Sequence, residues 1–178
     1  MTIKKVALAV FVLALALVAK ASAEENNLRL TTASGICDSD SPEGTLCVTR
    51  RQVQVENISG PCLEDDGYTL CLQGGRFRVR IGWVTPDGTR GWGHAVHLNN
   101  GSGTFWFFGP ENSEMLVKVI NACIPSLGNH WWVFWAATTN VQFELEVQDT
   151  TNTWLVAYLN DMNQAAMPVQ DTKAFACP

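Results

Sequence analysis

Three histidines, His94, His97 and His130, are the side chains of this sequence best placed to move a proton near neutral pH. His94 and His97 stand three apart. On a strand that spacing puts them on opposite faces, where they share neither a metal nor a proton. His130 lies beside the Gly128-Asn129 turn and is expected to be exposed. Nucleophilic catalysis needs a nucleophile, a base and an oxyanion donor together, and no Gly-x-Ser-x-Gly elbow is present. Glu144 and Glu146 share one face of an alternating strand, about 7 Å apart by strand rise. That suits the carboxylate spacing of glycoside cleavage, but alternating surface glutamates satisfy the same pattern and imply no pocket. A small secreted hydrolase is thus a minor alternative, and the chain is read as non-enzymatic.

Stacking is the better-supplied chemistry. The sequence holds seven Trp, and Trp92, Trp106, Trp131 and Trp132 are the candidates for stacking on a sugar ring or forming an interaction patch. Trp92 leads, because Gly91 and Gly93 flank it in what reads as a flexible loop. In the run 131–135 the odd residues face one way and the even ones the other, and both faces are apolar. A central strand covered on both sides is the favoured account of that run.

Asp38 and Asp40, or Asp65 and Asp66, offer oxygen ligands of the kind calcium takes. The spacing of an EF-hand loop is missing, and solvated turn carboxylates are the simpler reading. No cofactor is expected. Six cysteines, Cys37, Cys47, Cys62, Cys71, Cys123 and Cys177, form an even set that reads as three disulfides. Spacing favours Cys37 with Cys47 and Cys62 with Cys71, which leaves Cys123 with Cys177. Zinc is disfavoured, since no Cys-x-x-Cys pair occurs and no His stands at finger spacing.

The elements that must position these residues are strands. Phe77, Val79, Ile81 and Trp83 alternate with Arg76, Arg78 and Arg80, and Val141, Phe143, Leu145 and Val147 alternate with Gln142, Glu144, Glu146 and Gln148. One buried and one wet face is the mark of antiparallel sheets. The arginine row could hold an anionic polymer, but pairing with the glutamate row across strands is preferred. Three aromatic and β-branched runs between 103 and 135 read as consecutive strands at the heart of the domain. Turn signals follow at 85–89, 99–103 and 150–153. A short helical turn is expected near 111–114, capped by Asn112 or Ser113. Residues 154–158 read as the last clear strand, and 160–178 as a loop that Cys177 fastens. Residues 24–36 are an edge strand or a loose arm. Two similar phrases, at Cys37 and Cys62, each run from an acidic turn into Thr-Leu-Cys, too brief a repeat for a solenoid. The sum is an all-β fold, an antiparallel β-sandwich, Ig-like or similar, stapled by disulfides.

Lys4 and Lys5, an apolar run from 6 to 19 and Ala21-Ser22-Ala23 fit a secretory signal over residues 1–23. The remainder divides into 24–61, an arm with the Cys37–Cys47 clipped segment, and 62–178, the sandwich. The signal removes three basic and no acidic residues from twelve and seventeen, leaving nine against seventeen and a charge of −8. Such a balance disfavours nucleic acid, and a secreted, extracellular or periplasmic location with no membrane span in the mature chain is expected.

Several phrases together resemble a family of secreted bacterial β-rich domains. They are Cys71-Leu-Gln-Gly-Gly-Arg76-Phe77-Arg-Val79, Thr104-Phe-Trp106-Phe107-Phe108 with Asn112 and Glu114-Met-Leu-Val117-Lys118-Val119, Trp132-Val-Phe134 with Thr139-Asn140-Val141, Asp149-Thr150, and Gln170-Asp171-Thr172-Lys-Ala174-Phe175-Ala-Cys177. The resemblance covers about Cys62 to Cys177. It implies an extracellular domain often appended to other modules, with no assigned activity and so no catalytic residues. The expected function is a non-catalytic module binding an extracellular glycan or protein. The rival is a structural subunit whose arm adds a strand to a neighbour.

Overall fold

Alternation decides which way each strand faces. The structure, a computed structural model, describes residues 28–36, 48–55 and 60–178. In β4 (Phe77–Val84), Phe77, Val79 and Ile81 are fully buried while Arg78 and Arg80 turn outward. β10 (Gln142–Asp149) runs antiparallel to it, with Val147 opposite Val79 and Leu145 opposite Ile81. Opposed residues share a face, so the two apolar rows merge. β11 (Trp154–Asn160) lies beside β10, followed by β2 (Val48–Val55) and β1 (Leu28–Ile36). On its other edge β4 is shared. β3 (Leu70–Leu72) pairs with its first half and β5 (Arg90–Trp92) with its second, completing a seven-stranded antiparallel sheet.

The second sheet has five strands in the order β12 (Val169–Ala176), β9 (His130–Ala137), β8 (Ser113–Ala122), β7 (Ser102–Trp106) and β6 (His94–Asn99). The three aromatic runs are thus neighbouring strands, as their composition predicts. Phe105, Val117, Val119, Val133 and Trp135 face Phe77, Phe143 and Tyr158 of the first sheet. Trp135 meets Phe143 edge-on at 5.6 Å, and Phe77 meets Trp131 at 5.0 Å. Each such side chain withdrawn from water contributes about 1.5–3 kcal/mol, so this layer is the main source of stability. The protein is a β-sandwich.

Two disulfides join Cys62 to Cys71 and Cys123 to Cys177. The second closes a separation of 54 residues, a constraint on the unfolded chain of about 4 kcal/mol in the entropy account. The expected Cys37–Cys47 bridge, Asp38, Asp40 and the signal segment lie outside the described residues. Among the described residues no helix is long and apolar enough to cross a membrane.

Two expectations need correction. Residues 169–176 are a strand, not a loop: β12 hydrogen-bonds to β9, with a register shift between Asp171 and Phe175. The polar Asp171, Thr172 and Lys173 at that irregularity conceal the alternation. No helical turn forms at 111–114, because Ser113 and Glu114 already belong to β8. A single 3₁₀ turn forms instead at Pro125–Leu127, with Pro at its start and Gly128 in the left-handed conformation at its end. Of the two readings of residues 24–36, the edge strand is the one found: β1 ends the seven-stranded sheet. β2, from the same N-terminal segment, is an interior member of the seven-stranded sheet.

Candidate functional site

Trp92 owes its place to what its neighbours lack. The hairpin from β4 to β5 turns at Thr85-Pro86-Asp87-Gly88, where Gly88 N–H donates to the Thr85 carbonyl at 2.9 Å. Gly88 takes φ 86°, the left-handed region that glycine occupies freely. Asp87 accepts from the Thr85 hydroxyl and the Thr89 N–H, which holds its carboxyl below the usual range. β5 then pairs with β4 so that Trp92 stands opposite Gly82. With no side chain on Gly82, the indole leans across it, 3.6 Å from where a Cβ would sit. In the sequence Gly91 and Gly93 suggest a flexible loop, but their cause is close packing. A Cβ on Gly91 would lie 2.7 Å from the Trp83 ring, and one on Gly93 2.5 Å from Ile81. Both glycines are demanded by close packing, and they fix Trp92 at the end of a short strand.

Trp92 is 45% exposed. The Arg80 guanidinium lies over its ring at 4.3 Å from the centroid, a cation–π contact. Arg80 in turn reaches Asp66 at 3.6 Å. Asp66 is held by the Cys62–Cys71 loop. Burial alone would raise its pKa, but donors from Tyr68 and Thr69, with the Arg80 charge, hold it below the usual value. Asp66 is therefore committed to a turn and an ion pair. Among the described residues no cluster of three metal-binding side chains forms.

Beside Trp92 runs a groove of about 340 Å³ on the outer face of the seven-stranded sheet. Its floor is Gly82 and the outward row of β10: Gln142, Glu144 and Glu146. Leu159 of β11 forms the opposite rim. Trp92, Gly82, Glu144 and Leu159 stand in one cross-strand row. Three strand spacings separate the rims, about 14 Å between backbones. Glu144 is tied to Arg51 of β2 at 2.7 Å. Glu146 is opposite Arg80 in register, yet its carboxylate makes no hydrogen bond or ion pair among the described residues. Burial, and after it the charge of Glu144, pushes its pKa above the usual carboxylate value against the pull of Arg80 and Arg51. The arginine row thus faces the glutamate row as expected, but its ion pairs go elsewhere: Arg80 to Asp66 and Arg76 to Asp149.

The other aromatic candidates are not part of this groove. Trp131 is 6% exposed, packed on Phe77 with Arg76 over its ring at 4.7 Å. That is a core position, and it removes Trp131 from any surface site. Trp132 stacks on Phe134 at 5.7 Å, on the face of β9 turned away from the core. Trp106 lies flat on His94 at 3.8 Å, and His94 also meets Tyr68. His97 contacts Glu64 at 3.1 Å, and His130 contacts the Gly128 carbonyl. The three histidines are dispersed, each with its own partner. Sequence reasoning found Trp92 and the glutamates separately. It missed Gly82, Gln142 and Leu159, because strand register brings them together and no local pattern encodes it. Comparison with known proteins found no matching family model, no matching characterised protein and no matching solved structure.

Proposed function

We propose that this chain is an exported, non-catalytic binding module whose ligand site is the groove between Trp92 and Leu159. One observation carries the reading: an exposed indole, fixed by two packing-required glycines, borders a concave strip that contains a half-buried carboxylate with no hydrogen bond or ion pair among the described residues. Ligand sites combine concavity, apolar walls and a few convergent polar groups, and this groove has all three. The disulfides accord with an oxidising compartment. The carboxylates favour binding over glycoside cleavage. Glu144 and Glu146 project side by side from one strand, whereas cleavage needs two carboxylates flanking the bond. The resemblance to secreted bacterial domains points the same way.

The test is retention of the mature, oxidised chain on a panel of extracellular polymers, polysaccharides and proteins alike, beside Trp92→Ala. Loss of retention in the variant is expected. A chain that binds none of the panel, or binds equally well without Trp92, removes the reading.

A second reading, a subunit that assembles by strand addition, draws on β1 standing at the end of the seven-stranded sheet. Size-exclusion chromatography decides it: a monomer at high micromolar concentration excludes assembly.

A further inference from the structure

We propose that the groove is a subsite for an uncharged pyranose ring of a neutral glycan, with Trp92 stacked on the sugar's C–H face and Glu146 taking its hydroxyls. The inference rests on the groove being the ligand site and names what it takes.

A pyranose makes two opposite demands. Its C–H face asks for a flat apolar surface, and its rim of hydroxyls asks for hydrogen-bond partners. Trp92 supplies the first. One ring face is occupied by Arg80, and the side chain is still 45% exposed. Leu159 supplies an apolar wall across the groove, and Gln142, Glu144 and Glu146 lie on the floor between them. The volume, about 340 Å³, falls at the small end of the range of roughly 300–1,000 Å³ for small-molecule sites. That fits a short stretch of a glycan rather than a polymer face.

The charges select within the sugars. Glu144 is paired with Arg51 and Asp66 with Arg80, which leaves Glu146 and Arg90 as the remaining charges at the groove, so the local balance is close to neutral. A uronate or sulfated sugar would meet the two floor carboxylates. A cationic sugar would seek the indole face, and Arg80 already holds one side of it. An uncharged ring meets neither obstacle. Its hydroxyls can donate to an ionised Glu146 and accept from a protonated one, so the carboxyl is satisfied in either state. Among the described residues the Glu146 carboxylate makes no hydrogen bond or ion pair, and the Nε atoms of the flanking Arg51 and Arg80 are buried with no hydrogen-bond partner. Such groups are uncommon in native structures and call for an explanation.

The experiment is isothermal titration of the oxidised mature chain with three soluble oligosaccharide sets. These are neutral fragments (glucan, mannan, galactan, xylan), oligouronates, and glucosamine oligomers. At least one neutral set is expected to bind. Trp92→Ala should weaken it about tenfold or more, about 1.4 kcal/mol, while Trp92→Phe keeps most of the affinity. Glu146→Ala should weaken it several-fold and Glu146→Gln much less, since an amide both donates and accepts. Thermal unfolding checks that each variant is folded, and Leu159→Lys on the opposite rim replaces Trp92→Ala if that variant is not. Trp92-dependent binding of uronates or glucosamine oligomers alone overturns this proposal but leaves the groove as the site. Neutral binding indifferent to Trp92, Leu159 and Glu146 overturns both. Silence from all three sets overturns the sugar assignment and leaves the wider polymer panel to judge the groove. Release of reducing ends, lost in Glu146→Gln, overturns the non-catalytic reading.

Discussion

Asp149 and Glu146 lie three residues apart on one strand, and the protein treats them in opposite ways. Asp149 is fully buried and saturated with donors. It takes a two-pronged contact from Arg76 at 3.1 and 2.8 Å, a backbone N–H from Thr151 and the side-chain amide of Asn152. Arg76 also lies over the Trp131 ring. A second cluster follows the same rule. Asp171 of β12 accepts from Arg50 of β2 at 2.8 Å and from the Tyr158 hydroxyl of β11 at 2.9 Å, so it ties one sheet to the other. Burial and the Asp171 charge push the Tyr158 hydroxyl well above its usual pKa, so it remains a donor. Glu146, on the outer face, is only half exposed and makes no hydrogen bond or ion pair among the described residues. Charges whose bonding capacity is filled belong to the fold, because removing them from water is tolerable only when they are compensated. A half-buried carboxylate left unfilled beside a groove adds little to the fold and has its capacity free for a ligand.

That contrast is broken most severely at Asp149. Asp149→Ala leaves Arg76 partly buried without its partner and should cost about 3–5 kcal/mol, measured as a shift in the urea midpoint at unchanged slope. A loss below about 1 kcal/mol would mean that the saturated cluster is not structural. Tyr158→Phe removes one hydroxyl from Asp171 and keeps the ring packing. Hydrogen bonds to charged groups are worth about 1.5–3 kcal/mol, so a loss in that range is expected by the same measurement. Gly93→Ala tests the seat of the groove. Its Cβ would press on Ile81 at 2.5 Å and on Phe107 at 3.1 Å, and overpacking of this kind costs about 1–3 kcal/mol. Because Gly93 fixes the end of β5, the variant should also shift the near-ultraviolet signal of Trp92. Stability and signal both unchanged would return Trp92 to the flexible loop of the sequence reading.

Much of the frame is legible before any coordinates are seen. Phe77, Val79 and Ile81 against Arg78 and Arg80 is a period-2 pattern, and it specifies face and strand together. The Pro86-Asp87-Gly88 turn is local chemistry and is found where it reads. β12 escapes because Asp171, Thr172 and Lys173 interrupt its alternation, and the register irregularity that accommodates them depends on contact with β9. Trp131 and Trp132 could not be sorted for a related reason. Both rows of that strand are aromatic, so parity predicts two faces without saying which one enters the core. The groove is the least legible part. Trp92, Gly82, Glu144 and Leu159 come from four strands, and their alignment is a matter of register between segments far apart in sequence.

The smallest expected effect is the most discriminating. The Glu146 pKa is raised from a reference of 4.5, burial being the first cause and Glu144 the second. A carboxyl with a raised folded-state pKa penalises folding once it is ionised in both states. It carries no penalty when protonated in both. Stability conferred by this site is therefore greatest at acid pH and falls as pH rises from the ordinary glutamate value through the raised one. Glu146→Gln removes the ionisation, so it should stabilise the protein near pH 7.5, and the gain should vanish by about pH 3.5. The opposite sign is expected at Asp149, where Asp149→Asn deprives Arg76 of a charge and destabilises at neutral pH. Thermal unfolding of both variants at the two pH values tests the contrast directly. Stabilisation by Glu146→Gln at neutral pH marks a carboxylate kept at the expense of stability, as a binding group would be. A destabilisation there would place Glu146 with Asp149 among the charges that hold the sandwich together.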